Sequence, residues 1–120
     1  MDNDTLIMTM MFDFFGDLLT DKQREYYDLY HNEDLSLSEI AEKAGITRQG
    51  VYDIITRAEK SLVMMEQKTG VVRKWIDTRG ALGRAEDTAR QLLRSLGGDD
   101  ESRALAEELV VALARIAEVE

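Results

Sequence analysis

Residues 47–60, TRQGVYDIITRAEK, bring Arg48, Gln49, Tyr52, Asp53 and Thr56 together at steps of one and three. On a helix that spacing gathers them on one face. Arginine and glutamine pair bidentately with guanine and adenine edges, so these residue types in the first turns of a helix suit hydrogen-bonded reading of bases. Arg57 and Lys60 follow within two turns and suit phosphate. Asp53 is the discordant member. Facing DNA it repels phosphate, although a carboxylate accepts a hydrogen bond from cytosine N4.

Little else in the chain carries reactive chemistry. Ser36, Ser38 and Thr47 have no histidine nearby, and GALG at residues 80–83 is too short for a phosphate-cradling loop. Cysteine is absent, which excludes a thiolate nucleophile, a disulfide framework and a cysteine-based zinc site. The one histidine, His31, follows YYDLY and sits beside Glu33 and Asp34. It reads as a helix-end cation or a solvated side chain, with no metal expected. Neither an enzyme nor a cofactor site is expected, so no catalytic, cofactor-binding or metal-binding residue is assigned.

The elements that must position the 47–60 face follow from capping and periodicity. Ser36 with Glu39 has capping-box spacing, Leu37, Ile40, Ala41 and Ala44 share a face, and Gly45 ends that helix. Thr47 caps a second helix with apolar positions Val51, Ile54, Ile55, Ala58 and Leu62. A helix-turn-helix needs a small residue mid-way along its first helix, a glycine at the turn, an apolar residue after it and a β-branched anchor in the second. Ala41, Gly45, Ile46 and Val51 meet those needs in order.

Upstream, Leu6, Met10 and Phe14 stripe a helix that Gly16 closes, and Thr20 with Gln23 forms a second capping box before a helix to about Tyr30. Tyr26, Tyr27 and Tyr30 are expected in packing and Tyr52 outside it. Met8, Met10, Met11, Met64 and Met65 read as core fillers before they read as an adaptable binding surface. Downstream the stripe continues through Met65, Thr69, Val72 and Ile76, so the helix after Thr47 either continues or breaks briefly at Gly70, with Gly80 and Gly83 the stronger mark of an interruption. Ala85, Ala89, Leu92, Leu93 and Leu96 mark a further helix, GGDD at 97–100 a joint with Asp99 and Asp100 at a helix start, and Leu105, Leu109, Leu113 and Ile116 a last helix. With no proline, an all-α fold follows. The expected division is a helix-turn-helix domain over 1–76, with the motif at 36–60, and accessory C-terminal helices over 77–120.

Hydrophobic residues at 44% and charged residues at 32% favour a folded chain over a disordered one. The apolar run LIMTMMFDFF is interrupted by Asp13, lacks a basic leader and falls short of the ~20 residues that span a bilayer. A cytoplasmic protein without membrane insertion is the expectation. The net charge of −9 weighs against a polyanionic partner, yet it is unevenly spread. Residues 1–35 hold nine acidic and two basic groups and residues 99–120 seven and two, whereas residues 36–60 hold four of each. Exposed charges beyond a Debye length of about 8 Å are largely screened, so an acidic flank does not forbid DNA contact.

The segment LTDKQREYYDLYHNEDLSLSEIAEKAGITRQGVYDIITRAEKSL resembles DNA-binding region four of bacterial sigma factors. From FDFFGDLLTDKQ through TRQGVYD to about Glu66 it resembles more closely the YlxM family of small helix-turn-helix proteins. The resemblance implies a sigma-region-four-like helical bundle and a bacterial regulator of double-stranded DNA whose genes neighbour those of the signal recognition particle. By the family motif Thr47, Arg48, Gln49, Tyr52 and Asp53 begin the reading helix. A protein-interaction module docking on a particle protein or RNA is the alternative, and the leucine stripe of the last helix favours a homodimer.

Overall fold

The computed structural model describes residues 3–118. Among them it contains six α-helices and one short 3-10 turn, with no strand: α1 (Asn3–Phe15), the turn Gly16–Leu18, α2 (Asp21–His31), α3 (Leu37–Ala44), α4 (Arg48–Thr69), α5 (Val71–Ser95) and α6 (Asp100–Glu118). The fold is all-α, a helix-turn-helix followed by additional C-terminal helices. It divides into two compact units, the first ending at Arg73 and the second beginning at Lys74.

In the first unit α4 is the central element, packing on α1, α2 and α3. Its stripe Val51, Ile55, Ala58 and Leu62 is buried because those positions recur at three and four residues and so share one face. Tyr26, Ile40, Ala41, Val51 and Ile55 form one core cluster, edged by Leu29, Leu35, Leu37, Ala44 and Ile54. Phe12 of α1 stacks on Tyr27 of α2 with ring centroids 4.8 Å apart. Tyr26 and Tyr27 are buried, but Tyr30 lies partly on the surface. Of the methionines, Met11 is buried in the core, Met8, Met10 and Met65 are half-buried and Met64 is exposed.

Of the two courses open at Gly70, the helix takes the brief break. Gly70 adopts a left-handed conformation (φ 62°) and donates its amide to the Glu66 carbonyl, which ends α4. The Glu66 carboxylate then accepts from the amides of Val72 and Arg73 at 2.9 and 3.0 Å, capping the start of α5. Helix ends leave several backbone groups unsatisfied, and one side chain here serves two of them. Conversely, α5 runs unbroken through Gly80 and Gly83, where interruption was expected. An interior glycine weakens a helix by only about 1 kcal/mol.

In the second unit, α5 from Lys74 onward pairs antiparallel with α6. Arg79 Nη1 donates to the Ala117 carbonyl, Arg103 approaches the Leu93 carbonyl, and Ala89, Ala106 and Val110 are buried. Arg79 also lies over the Trp75 ring, 5.1 Å from its centroid. Asp99 caps α6 by accepting from the Glu101 amide and the Ser102 hydroxyl, which holds its carboxyl below the usual carboxylate range.

Candidate nucleic-acid interface

The helix-turn-helix is assembled from local hydrogen bonds. Ser36 Oγ accepts from the Glu39 amide while Glu39 Oε1 accepts from the Ser36 amide, both at 3.1 Å. These bonds hold the Glu39 carboxyl below its ordinary value, with the Ser36 backbone bond the larger cause. At the other end Gly45 takes φ 70°, and the amides of Gly45 and Ile46 both donate to the Ala41 carbonyl. A residue with a Cβ pays about 1 kcal/mol or more in that left-handed region, so glycine permits the sharp turn. Ile46, the apolar residue after the turn, is 38% exposed. Thr47 Oγ1 then accepts from the Gly50 amide at 3.0 Å and starts α4.

Helical geometry turns successive residues by about 100°, so Gln49, Asp53 and Lys60 project from the face opposite the buried stripe. Arg48, Gln49, Tyr52, Asp53, Arg57 and Lys60 are all exposed, and Tyr52 retains 50% of its surface. Thr56 is half-buried, and Thr47, though exposed, has its hydroxyl engaged in the cap. Gln49 Nε2 donates to Asp53 Oδ1 at 2.9 Å, joining two of these residues directly. Arg48, Arg57 and Lys60 make no ion pair among the described residues. The first turn of α4 holds no acidic side chain, so its amide end keeps its partial positive charge.

The second acidic residue of this segment, Glu59, is half-buried and paired. His31 Nε2 lies 2.8 Å from Glu59 Oε1, and the His31 ring packs against Tyr27, centroids 4.3 Å apart. Burial, aided by the negative charge of Glu59, raises the Tyr27 phenol to about 12. His31 is therefore a tether between α2 and α4. Its partner lies 28 residues away in sequence, so the pairing had no local signal. Glu66 was missed for a related reason: its role depends on the chain turning back at Gly70. Among the described residues no cluster of histidine and carboxylate side chains is arranged to hold a metal, and no helix is long and apolar enough to cross a membrane.

Residues 2–92 match the family UPF0122, described as "Putative helix-turn-helix protein, YlxM / p13 like". The chain belongs to this family. A UPF0122 protein of Thermoanaerobacter sp. strain X514 is 42% identical over 109 residues, covering 91% of this chain and 92% of its own. A UPF0122 protein of Geobacillus kaustophilus strain HTA426 is 43% identical over 105 residues, with coverages of 88% and 93%. One from Caldanaerobacter subterraneus subsp. tengcongensis reaches 54% over 74 residues, 62% and 63% of the two chains. The UPF0122 match extends into α5, beyond Glu66, where the pattern legible in the sequence ended.

Proposed function

We propose that this UPF0122 protein is a non-catalytic regulator that binds double-stranded DNA through the first turns of α4, in the cytoplasm and in connection with the signal recognition particle pathway. The observation that carries the reading is the exposed set Arg48, Gln49, Tyr52, Asp53, Arg57 and Lys60, borne by the second helix of a helix-turn-helix on the side away from its core. In such motifs the N-terminal residues of the second helix reach base edges in the major groove. Arg48, Gln49, Tyr52 and Thr56 approach bases in this reading, and Arg57 and Lys60 meet phosphate. Residues 1–76 form the binding domain and 77–120 the accessory helices. Leu105, Leu109 and Ile116 on α6, exposed by 60%, 46% and 55%, support a homodimer in which a second copy covers them.

The test is binding of the full chain to genomic duplex fragments across a salt series. Affinity should fall steeply with salt, Arg48→Ala should relax base preference, and Arg57→Ala or Lys60→Ala should each reduce the salt slope by about 1 while leaving preference intact. Absence of duplex binding above background at low salt overturns the reading.

A second reading, docking on a protein of the particle without DNA, is favoured by the α1–α2 surface. There Phe12, Asp21, Arg24, Glu25 and Asp28 line a groove of about 360 Å³ in which three of five residues are acidic. Complementary charge on a basic protein partner would speed encounter. Co-purification of a particle component after nuclease treatment distinguishes this reading from the first.

A further inference from the structure

The DNA-binding reading leaves Asp53 unexplained, because a carboxylate in the centre of a face that meets phosphate lowers affinity. Its geometry supplies a role. Asp53 Oδ1 accepts from Gln49 Nε2 at 2.9 Å across one helical turn, and Asp53 makes no ion pair with Arg57, the cation one turn further on. An ionised carboxylate only accepts hydrogen bonds, whereas a side-chain amide has two donors on nitrogen and an acceptor oxygen. The contact therefore dictates which way the Gln49 amide is turned: nitrogen toward Asp53, with its second N–H and its carbonyl oxygen left for a partner.

That remaining pair, one donor beside one acceptor, is the pattern that adenine complements with N7 and its N6 amino group. Guanine presents two acceptors in the major groove and offers nothing to the amide oxygen. We propose that Asp53 is a positioning residue that orients the Gln49 amide for adenine, so that specificity at one base pair depends on a side chain that itself weakens attraction to the backbone. This rests on the DNA-binding reading, and it makes affinity and discrimination respond to Asp53 in opposite directions. Without Asp53 the amide rotates freely and meets either base edge; with it, one orientation is set before DNA arrives, which reduces the ordering cost on binding.

The experiment is selection from a randomised duplex library by the full-length wild type, Gln49→Ala, Asp53→Ala and Asp53→Asn, followed by affinities for the selected duplex and its single-base variants. Wild type should select adenine at the position where Gln49→Ala relaxes preference. Asp53→Ala should bind all duplexes more tightly yet lose adenine discrimination at that position, by about 5- to 150-fold, the factor one bidentate contact contributes. Asp53→Asn, whose amide donates as readily as it accepts and so no longer dictates one orientation, should share the gain in affinity and keep at most part of the discrimination. In the free protein, the two Gln49 side-chain amide protons should be spread in the nitrogen-proton spectrum of wild type and move to free-amide positions in Asp53→Ala. If a site is selected and Asp53→Ala discriminates as wild type does, or if the Gln49 amide signals ignore Asp53, the positioning role falls and DNA binding stands. If no duplex is selected, the DNA reading falls and this role with it.

Discussion

His31 Nε2 and Glu59 Oε1, 2.8 Å apart, join the last residue of α2 to the middle of α4. His31 packs on the Tyr27 ring that Phe12 stacks against, so α1, α2 and α4 meet in one run of ring contacts ending in a hydrogen bond. It also engages the one other carboxylate of the 47–60 segment besides Asp53. Both side chains keep about a third of their exposure, which bounds the stabilisation. His31→Ala should lower unfolding free energy, and a double-mutant cycle with Glu59→Gln should give a coupling of about 0.2–1 kcal/mol in urea melts.

Glycine substitutions should divide by backbone conformation. Gly45 and Gly70 lie at φ 70° and 62°, with open space where a Cβ would go, so alanine there suffers from the backbone alone. Each should lose about 1 kcal/mol. Gly80 and Gly83 are interior to α5, and a Cβ meets only the end of Arg84 at 3.5 Å or nothing. Alanine at either should gain up to about 1 kcal/mol by calorimetry or denaturant titration.

Glu66 caps α5 from within α4, and its loss should be felt at that junction. Glu66→Ala leaves the Val72 and Arg73 amides without their carboxylate partner and should cost about 0.5–2 kcal/mol, comparable to removal of an N-cap side chain. Faster hydrogen exchange at those two amides is the direct readout. Glu66→Gln, with one acceptor oxygen left, should lose less.

Stability should fall in strong alkali through Tyr27. Its phenol holds its proton up to about 12 in the folded chain against 10.0 when free, so the folded state binds more protons in that interval. The contribution is complete below pH 10 and disappears as pH rises toward about 12. Tyr27→Phe, which keeps the ring, should show a shallower decline there than wild type. In acid the sign reverses: Glu39 and Asp99 have lowered values, so their contribution is present above their unfolded pKa and is lost as pH falls through the folded one.

Features made by neighbours along the chain were readable without coordinates. The capping boxes at Thr20–Gln23 and Ser36–Glu39, the turn at Gly45, the Thr47 cap and the buried positions of α4 all depend on residues three or four apart, where helical geometry alone creates the contact. The all-α helix-turn-helix architecture followed from them. Whether a glycine interrupts a helix was not readable in this way. Gly70 and Gly80 have the same intrinsic cost, and the break falls at Gly70 because Glu66 can reach the amides of a chain that has already turned. The His31–Glu59 tether likewise required α2 to cross α4, and no residue spacing encodes which side chains meet at a crossing. Local hydrogen bonds dictated the helices; packing between them chose the long-range polar partners, because only packing brings distant residues within reach of one another.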